Sequence, residues 1–501
     1  MEYILNNALI IGSVLLLLSV VMSKSLSKFG LPILILFLFI GMISGSEGIG
    51  GIDYENYELT HSLSLVAICL IIFTGGLLTK ISDIKPVMKS GVVLSTLGIL
   101  LTTGMVGVFC HYLFHIDFFE ALLIGAILSS TDAAAVFTVL RDKNAQVSKN
   151  VKSLLELESG SNDPMAYLLV TIFLGLYQAD ATTTTQASSF LLFLVNPLFG
   201  ILGGYAFFKI FKLINDKVEL DFQGLYPALA LGFLFLTYSL VTSFYGNGFL
   251  AVYIFGLRIG NERIIHKHIL TSFFDGISWL FQIGLFIMLG LLVFPSRLYE
   301  IAPSGSMLAL FCIIIARPTI VFICLMFSKF DFKEKLLISW AGLKGATPIV
   351  FASLVATNVG KESLFIFDLV FFTVLISALV QGSTVKLLAK KLNLLIESIF
   401  DPDFPIDLEV IEKTKNGIRE IKIEDSDFAV EKRVVDLGLP KGTVILFIKR
   451  NGGFIIPDGS TSFKSQDKIL IVTSEKEDLE NSLTHFRVDK TEDEPEIISM
   501  A

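Results

Sequence analysis

The run Leu157 to Met165 carries Glu158, Ser159, Ser161, Asn162 and Asp163 inside a stretch otherwise apolar enough to cross a bilayer. Two carboxylates, a carboxamide and two hydroxyls are expensive there. An ionisable group at mid-membrane costs at least about 2.5 to 3.5 kcal/mol, so it persists where it is paired, hydrated or used. The default reading is an ion or proton pathway. Asp163 falls mid-span, where burial disfavours the charged form of a carboxylate, so the group can hold either a proton or a cation. Competition between the two is the simplest molecular basis of exchange. The bland alternative is an acid neutralised by a neighbouring helix for packing.

A second polar cluster, Ser129-Ser130-Thr131-Asp132, interrupts another apolar run. Residues that bond locally to the backbone accompany unwound helices, and Asp132 can equally be a helix cap at such a break. Hard monovalent cations, by analogy with divalent ones, need several oxygens, and Asp132, Thr131, Glu158, Ser159 and Asp163 supply them. Glu158 and Asn162 are four apart and share a helix face, with Asp163 rotated by about 100°. Asn162 has two readings, a hydrogen bond between helices or direct contact with a cation. Pro164 cannot donate to the carbonyl of Gly160, nor Pro348 to that of Lys344, which predicts broken spans crossing at mid-membrane. Arg317 is an obligate cation in an apolar span. Lys344 can offset a helix C-terminus at the break or snorkel to the surface.

Elements of membrane length must position these groups. Hydrophobic residues make up 53% of the 501 and charged residues only 17%, and apolar runs of about 20 residues recur to about residue 392. Thirteen spans are predicted: 4–22, 30–46, 61–79, 87–112, 117–140, 152–177, 188–211, 223–243, 246–260, 272–294, 304–328, 335–357 and 363–389. The first lacks a basic n-region and a cleavage site, so it reads as retained. Lysine and arginine concentrate on the odd-numbered loops and adjoining span ends, for example Lys80, Lys85, Lys149, Lys212, Arg263 and Lys333, against Arg297 and Lys361 on the even ones. The positive-inside rule then puts the N-terminus outside and the C-terminus in the cytoplasm. Ala181 to Ser189 reads as a Thr/Ser-rich linker. Cys69, Cys110, Cys312 and Cys324 lie in or beside spans without metal-like spacing and read as packing residues.

Residues 402–501 hold 21 acidic and 14 basic residues, against 26 and 25 in the remainder, so the tail is a separate acidic unit. Nucleic-acid binding is disfavoured by that sign. Short alternating runs at 408–411, 418–423, 444–448, 454–456 and 469–472 predict strands, with Asn451-Gly452-Gly453 as a hairpin turn. Helices around 434–437 and 476–486 complete a small α+β domain. Residues 488–501 read as disordered.

Ser130-Thr131-Asp132-Ala133, Glu158-Ser159-Gly160-Ser161-Asn162-Asp163-Pro164, Ala316-Arg317-Pro318 and Gly342-Leu343-Lys344-Gly345-Ala346-Thr347-Pro348 together resemble the monovalent cation:proton antiporters, NhaP-like branch. Val435 to Pro440 and Ile455 to Gly459, ahead of Asp467, are similar to the C-terminal half of a regulator of potassium conductance, TrkA-C type. The pairing resembles the potassium/proton, cell-volume-regulation subgroup. The nucleotide-binding half that often precedes such a tail is missing, and Gly48-Ile49-Gly50-Gly51 follows no strand, so a NAD-gated mechanism is not supported.

The resemblance implies an all-α membrane domain over 1–395 with inverted repeats, a regulatory domain over 402–487 and a homodimer in a bacterial inner membrane. It implies Asp163, Asp132, Thr131 through its main-chain oxygen, Glu158, Ser159 and Asn162 as the ion and proton site. It also implies an ion pair of Arg317 with Glu158, and a position at Lys344 where the family usually carries arginine, whose bidentate contact a lysine does not reproduce. Asn162 stands where electrogenic relatives carry a second acid, which implies electroneutral exchange of one proton for one potassium or sodium ion, without cofactor or enzymatic chemistry. The tail is expected to sense an effector, a nucleotide or cyclic dinucleotide, or else to serve as a passive dimerisation module.

Two other classes compete. A ligand-gated potassium channel is disfavoured by the absence of a Thr-Val-Gly-Tyr-Gly-like filter and by the central carboxylates. An intramembrane protease with Asp132 and Asp163 as a dyad leaves Asn162, Arg317 and the tail without a role.

Overall fold

The computed structural model describes residues 2–26, 33–140, 145–178, 183–218, 220–360, 363–397, 417–425, 427–439, 442–450, 453–473 and 486. The predicted strand at 408–411, most of the predicted helix at 476–486 and the tail at 488–501 lie outside them. Contacts divide the chain into two units, 1–141 with 147–395, and 142–146 with 396–501.

The first unit is helical because a chain in lipid must satisfy every backbone group internally. Its helices are α1 (Glu2–Leu26), α2 (Ile33–Ser44), α3 (Tyr57–Leu78), α4 (Ile81–Ile84), α5 (Met88–Val93), α6 (Ile99–Phe114), α7 (Phe118–Ile127), α8 (Ala133–Leu140) and α9 (Lys149–Gln178). They continue as α10 (Thr183–Lys217), α11 (Leu225–Ser243), α12 (Gly248–Asn261), α13 (Lys267–Leu291) and α14 (Pro295–Leu310). The last are α15 (Arg317–Cys324), α16 (Phe332–Trp340), α17 (Ala346–Val359) and α18 (Leu364–Lys391). Among the described residues seven helices are long and apolar enough to cross a membrane, and shorter apolar ones accompany them. The apolar runs found in the sequence fall on these elements. The linker expected at Ala181 to Ser189 is overturned in part, because α10 is already helical from Thr183. Extending an existing helix adds one hydrogen bond per residue, and a polar stretch is no barrier to that.

Local chemistry sets several helix starts. Asn56 Oδ1 accepts from Leu59 N at 2.8 Å, Asp117 Oδ1 from Phe119 N at 2.8 Å, and Asp331 and Glu334 form a capping box on α16. Inside the spans, hydroxyls bond back one turn, as Thr74 to Leu70 O (2.8 Å) and Thr373 to Leu369 O (2.8 Å) do, which hides them from lipid. Gly41 on α2 meets Gly290 on α13, and Gly76 on α3 meets α12 at Tyr253 and Leu257, so closely that a methyl at any of these positions would strike backbone. Small residues allow that approach where no hydrophobic force favours helix association.

Two triplets repeat one plan. In the first, Ile81–Phe114 contains a π-segment at Leu94–Gly98, α7 and α8 are separated by 128–132, and α9 is one long helix. In the second, Pro295–Cys324 contains a π-segment at Phe311–Ala316, α16 and α17 are separated by 341–345, and α18 is the long helix. Six crossings, α7/α8, α9, α10, α11, α12 and α13, lie between their first helices, and an even number in between makes those helices run in opposite directions, so the triplets are inverted. Span six is not broken: α9 runs continuously through Pro164, and the interrupted helices belong to spans five and twelve. The carbonyl orphaned by one proline is a local defect that a packed helix tolerates.

The second unit holds an antiparallel sheet. Two short strands, β1 (Ala145–Val147) and β2 (Leu395–Glu397), come first in chain order, followed by β3 (Gly417–Lys422), β4 (Val444–Arg450), β5 (Gly453–Ile455) and β6 (Lys468–Thr473). The sheet has the order β3-β6-β4-β5, with Ile421 opposite Ile469 and Ile448 opposite Ile455. Its buried face gathers Ile421, Ile448, Phe463, Ile469 and Ile471. Arg450 clamps the buried Asp467 with two contacts, 2.9 and 2.6 Å, and also donates to Ser462 O at 2.7 Å.

Candidate functional site

The two interruptions meet. Asp132 N donates to Leu343 O at 2.8 Å, joining the unwound stretch of span five to that of span twelve. Lys344 Nζ reaches back to Ser130 O at 3.3 Å. Non-helical backbone at this depth is tolerated because protein, not lipid, surrounds it. The half-helices α8 and α17 both begin at this crossing, and the positive ends of their dipoles lie where Asp132 and Asp163 sit.

Asp163 is half-buried, and both its oxygens are met by hydroxyls. Ser130 Oγ donates to Oδ1, and Thr347 Oγ1 donates to Oδ2 at 3.0 Å. Asp132 caps α8, accepting from Ala135 N at 3.2 Å, and its carboxylate lies over Gly345, where a β-carbon would come within 2.5 Å of it. Ser159 Oγ accepts from Ala133 N at 3.1 Å. Asn162, fully buried, donates to Thr131 Oγ1 at 2.6 Å and Thr131 O at 3.3 Å. The helix-to-helix hydrogen bond considered for Asn162 is therefore present.

Between Glu156 and Ala166 on α9, Glu156, Ser159, Gly160, Ser161 and Asp163 are partly accessible, while Leu157, Glu158, Asn162, Pro164, Met165 and Ala166 are buried. One turn after Asp163, Tyr167 packs edge-on against Phe249, with ring centres 4.9 Å apart, and tilted against Phe351 at 5.6 Å. Glu156 lies 3.8 Å from Lys152.

Arg317 and Glu158 form a forked pair, with Nη2 to Oε2 at 2.9 Å and Nη1 to Oε1 alongside, both side chains buried. Planar guanidinium matches carboxylate in this geometry. Glu158 therefore turns away from Asp163, toward span eleven. Lys344 is buried at the crossing and does not snorkel.

Five further positions hold the site. Ser130 and Thr347 contact Asp163 directly. Asn247 caps α12 by accepting from Leu250 N (2.9 Å) and donates to Pro164 O at 2.8 Å, pinning α12 to the turn after Asp163. On α18, Ser377 Oγ accepts from Lys344 N at 3.2 Å and Gln381 Nε2 donates to Trp340 O at 2.9 Å. These two do for the break in span twelve what Ser159 and Asn162 do for the break in span five. The sequence signal for Gln381 is a polar residue inside an apolar run.

Residues 13–391 match the sodium/hydrogen exchanger transmembrane family, and residues 418–481 match the TrkA-C domain. The chain belongs to the sodium/hydrogen exchanger family. Among curated relatives of this exchanger, the K(+)/H(+) antiporter NhaP2 of Shewanella baltica is 34% identical over 477 residues, 94% of this chain and 82% of the relative. The K(+)/H(+) antiporter NhaP of Alkalimonas amylolytica is 34% identical over 476 residues, with the same two coverages. The sodium proton antiporter MjNhaP1 of Methanocaldococcus jannaschii, solved at pH 8, superposes with a TM-score of 0.67 at 26% identity, covering 78% of this chain and 99% of that one. The family is one of transporters, and the all-helical crossing architecture of the exchanger agrees with that solved fold.

Proposed function

We propose that this exchanger moves one monovalent cation, potassium in preference to sodium, against one proton across a bacterial inner membrane, serving cation, pH and volume homeostasis. The observation that carries this reading is the charge arrangement at the crossing. Arg317 pairs with Glu158, and by charge count the buried Lys344 at the crossing balances Asp132, which leaves Asp163 as the acid whose load sets the net charge. Either a proton or a cation on Asp163 neutralises the site, so each half-cycle carries the same charge and exchange is electroneutral. Asp163, Asp132, Thr131 and Ser159 supply oxygens to the cation, Asn162 holds Thr131 in place, and Glu158 with Arg317 fixes span six against span eleven. Potassium is favoured by the names of the relatives and by the tail.

With the lysine-rich end in the cytoplasm, the N-terminus lies outside and the partly accessible stretch of α9 from Glu156 to Asp163 faces inward. Spans four to six and eleven to thirteen move against the other helices, which form a dimeric scaffold. At the outer end the two parts touch: Glu47 accepts from Ser296 N (2.8 Å) and Ser296 Oγ (2.5 Å). Nearby Arg297 reaches Tyr57 Oη at 3.4 Å and Asp368 at 3.3 Å. Alternate access requires the Glu47–Ser296 and Arg297–Tyr57 contacts to part, while Arg297 and Asp368, both in the moving set, travel together. Residues 402–487 form a regulatory domain that binds a nucleotide or cyclic dinucleotide effector better in one state than the other.

Vesicles reconstituted with the protein test the reading. A potassium gradient drives proton counterflow that clamping the voltage does not alter, and Asp163→Asn abolishes it. Current without proton movement would instead select a ligand-gated channel, and full exchange by Asp163→Asn removes the assignment of the site.

A further inference from the structure

The partners of Asp163 include one that the charge arrangement does not need. Thr347 lies in the first turn of α17, after the N-cap Gly345. A threonine inside a membrane helix ordinarily turns its hydroxyl to the carbonyl one turn back, as Thr74, Thr102, Thr237 and Thr373 do here. For Thr347 that carbonyl belongs to Leu343, and it already accepts from Asp132 N. The Thr347 hydroxyl instead crosses to α9 and donates to Asp163 Oδ2 at 3.0 Å. Unlike Ser130, which is buried and whose own carbonyl is held by Lys344, Thr347 is partly accessible, as Asp163 is.

A hydroxyl carries one donor hydrogen and two acceptor lone pairs. It can therefore donate to a bare carboxylate, then rotate its hydrogen away and offer a lone pair to a cation seated on that carboxylate, with no heavy atom moving. An ammonium or amide donor has no such second mode. We infer that Thr347 is a cation-coordinating residue of the exchange site, alternating between donation to empty Asp163 and ligation of the bound alkali ion. It brings span twelve into the coordination shell, whereas Asp163 and Ser159 come from span six and Asp132 and Thr131 from span five. This rests on the exchange reading above and adds a ligand to it.

The test is cation-dependent proton flux in vesicles containing the full chain, measured across a lithium, sodium, potassium and rubidium series. Thr347→Val keeps the shape and removes the oxygen. Its half-saturating potassium concentration rises about tenfold, the scale of one lost polar contact, and its cation order changes while the maximal rate stays within about twofold. Thr347→Ser restores both half-saturation and order. A second readout does not depend on flux: potassium raises the thermal midpoint of the solubilised wild type and of Thr347→Ser, and raises that of Thr347→Val much less. A purely structural threonine predicts the opposite pattern, a uniform fall in rate and midpoint with half-saturation and cation order unchanged, and that result overturns the assignment. If Thr347→Val fails to accumulate, Thr347→Ala is measured in the same way. Wild-type vesicles without cation-driven proton flux defeat the exchange reading itself; active wild type with an indifferent Thr347→Val defeats only the role of Thr347.

Discussion

Asn162 donates to Thr131 at both its hydroxyl and its carbonyl, 2.6 and 3.3 Å away, while its own side-chain oxygen is buried with no hydrogen-bond partner among the described residues. The amide thus fixes the break of span five and keeps an unspent acceptor beside Asp163. Replacing it with alanine strands the Thr131 groups, at about 1 to 3 kcal/mol. A lower thermal midpoint of the solubilised protein and slower exchange are expected, and an unchanged midpoint would contradict this role.

The Arg317–Glu158 pair predicts a non-additive cycle. Arg317→Ala alone leaves a buried carboxylate uncompensated, which costs about 3 to 5 kcal/mol. Combining Arg317→Met with Glu158→Gln removes both charges and recovers a large part of that loss in thermal unfolding. Additive losses in the double variant would mean that the two side chains act separately.

Gly345 has no room for a side chain. A β-carbon there comes within 2.5 Å of the Asp132 carboxylate, whereas one at Gly284 on α13 meets nothing within 4 Å. Gly345→Ala should cost about 1 to 3 kcal/mol through overpacking and cut exchange at least tenfold. Gly284→Ala should leave the flux at wild-type level, which makes it the control for expression and insertion.

Glu47 is held below the usual carboxylate range chiefly by the Ser296 hydroxyl, then by the Ser296 backbone N–H. A depressed carboxylate supports its contact above its ordinary titration range and loses it only as pH falls through the lowered value. Exchange measured between about pH 6 and 9 should therefore show no inflection from Glu47. Glu47→Ala should act at every pH in that window, weakening the outer contact and shifting the balance toward the outward-open state, as read by a fall in cytoplasmic-side labelling of a cysteine placed at Ser161. Labelling identical to the parent cysteine protein would remove Glu47 from the moving boundary.

In the tail, Arg450→Ala removes the cation that compensates the buried Asp467, leaving only the Lys464 N–H on its carboxylate, at a cost of about 3 to 5 kcal/mol, and should make residues 417–473 of the full chain readily cleaved by protease. Arg433→Ala, which loses only its exposed pair with Asp436, should leave the cleavage rate unchanged. Equal sensitivity in both would show that burial does not distinguish the two pairs.

Much of this architecture was legible in the residues themselves. Apolar runs marked the helices because lipid enforces length and composition, and Asp132, Glu158, Asn162, Asp163 and Arg317 stood out because polar groups are costly there. Partnership was harder to read. Ser130, Thr347, Asn247 and Gln381 each act on a residue remote in sequence, and a lone serine, threonine or amide looks the same whether it caps its own helix or reaches another. The break in span five was signalled by Ser129 to Asp132, but Pro164 pointed to a break in span six that packing suppresses. Lys344 could be placed only by the fold, since a lysine near a span end is equally able to reach water.

The two triplets hold their interrupted helices alike, Ser159 and Asn162 on one side, Ser377 and Gln381 on the other, yet only the first long helix brings an acid to the centre. Interchanging the backbone conformations of the two halves would generate an inverted arrangement open to the opposite compartment, and on the proposed reading Asp163 would be presented to either side in turn. A duplicated frame with one acid at its centre is thus suited to turning inside out around a single titrating group.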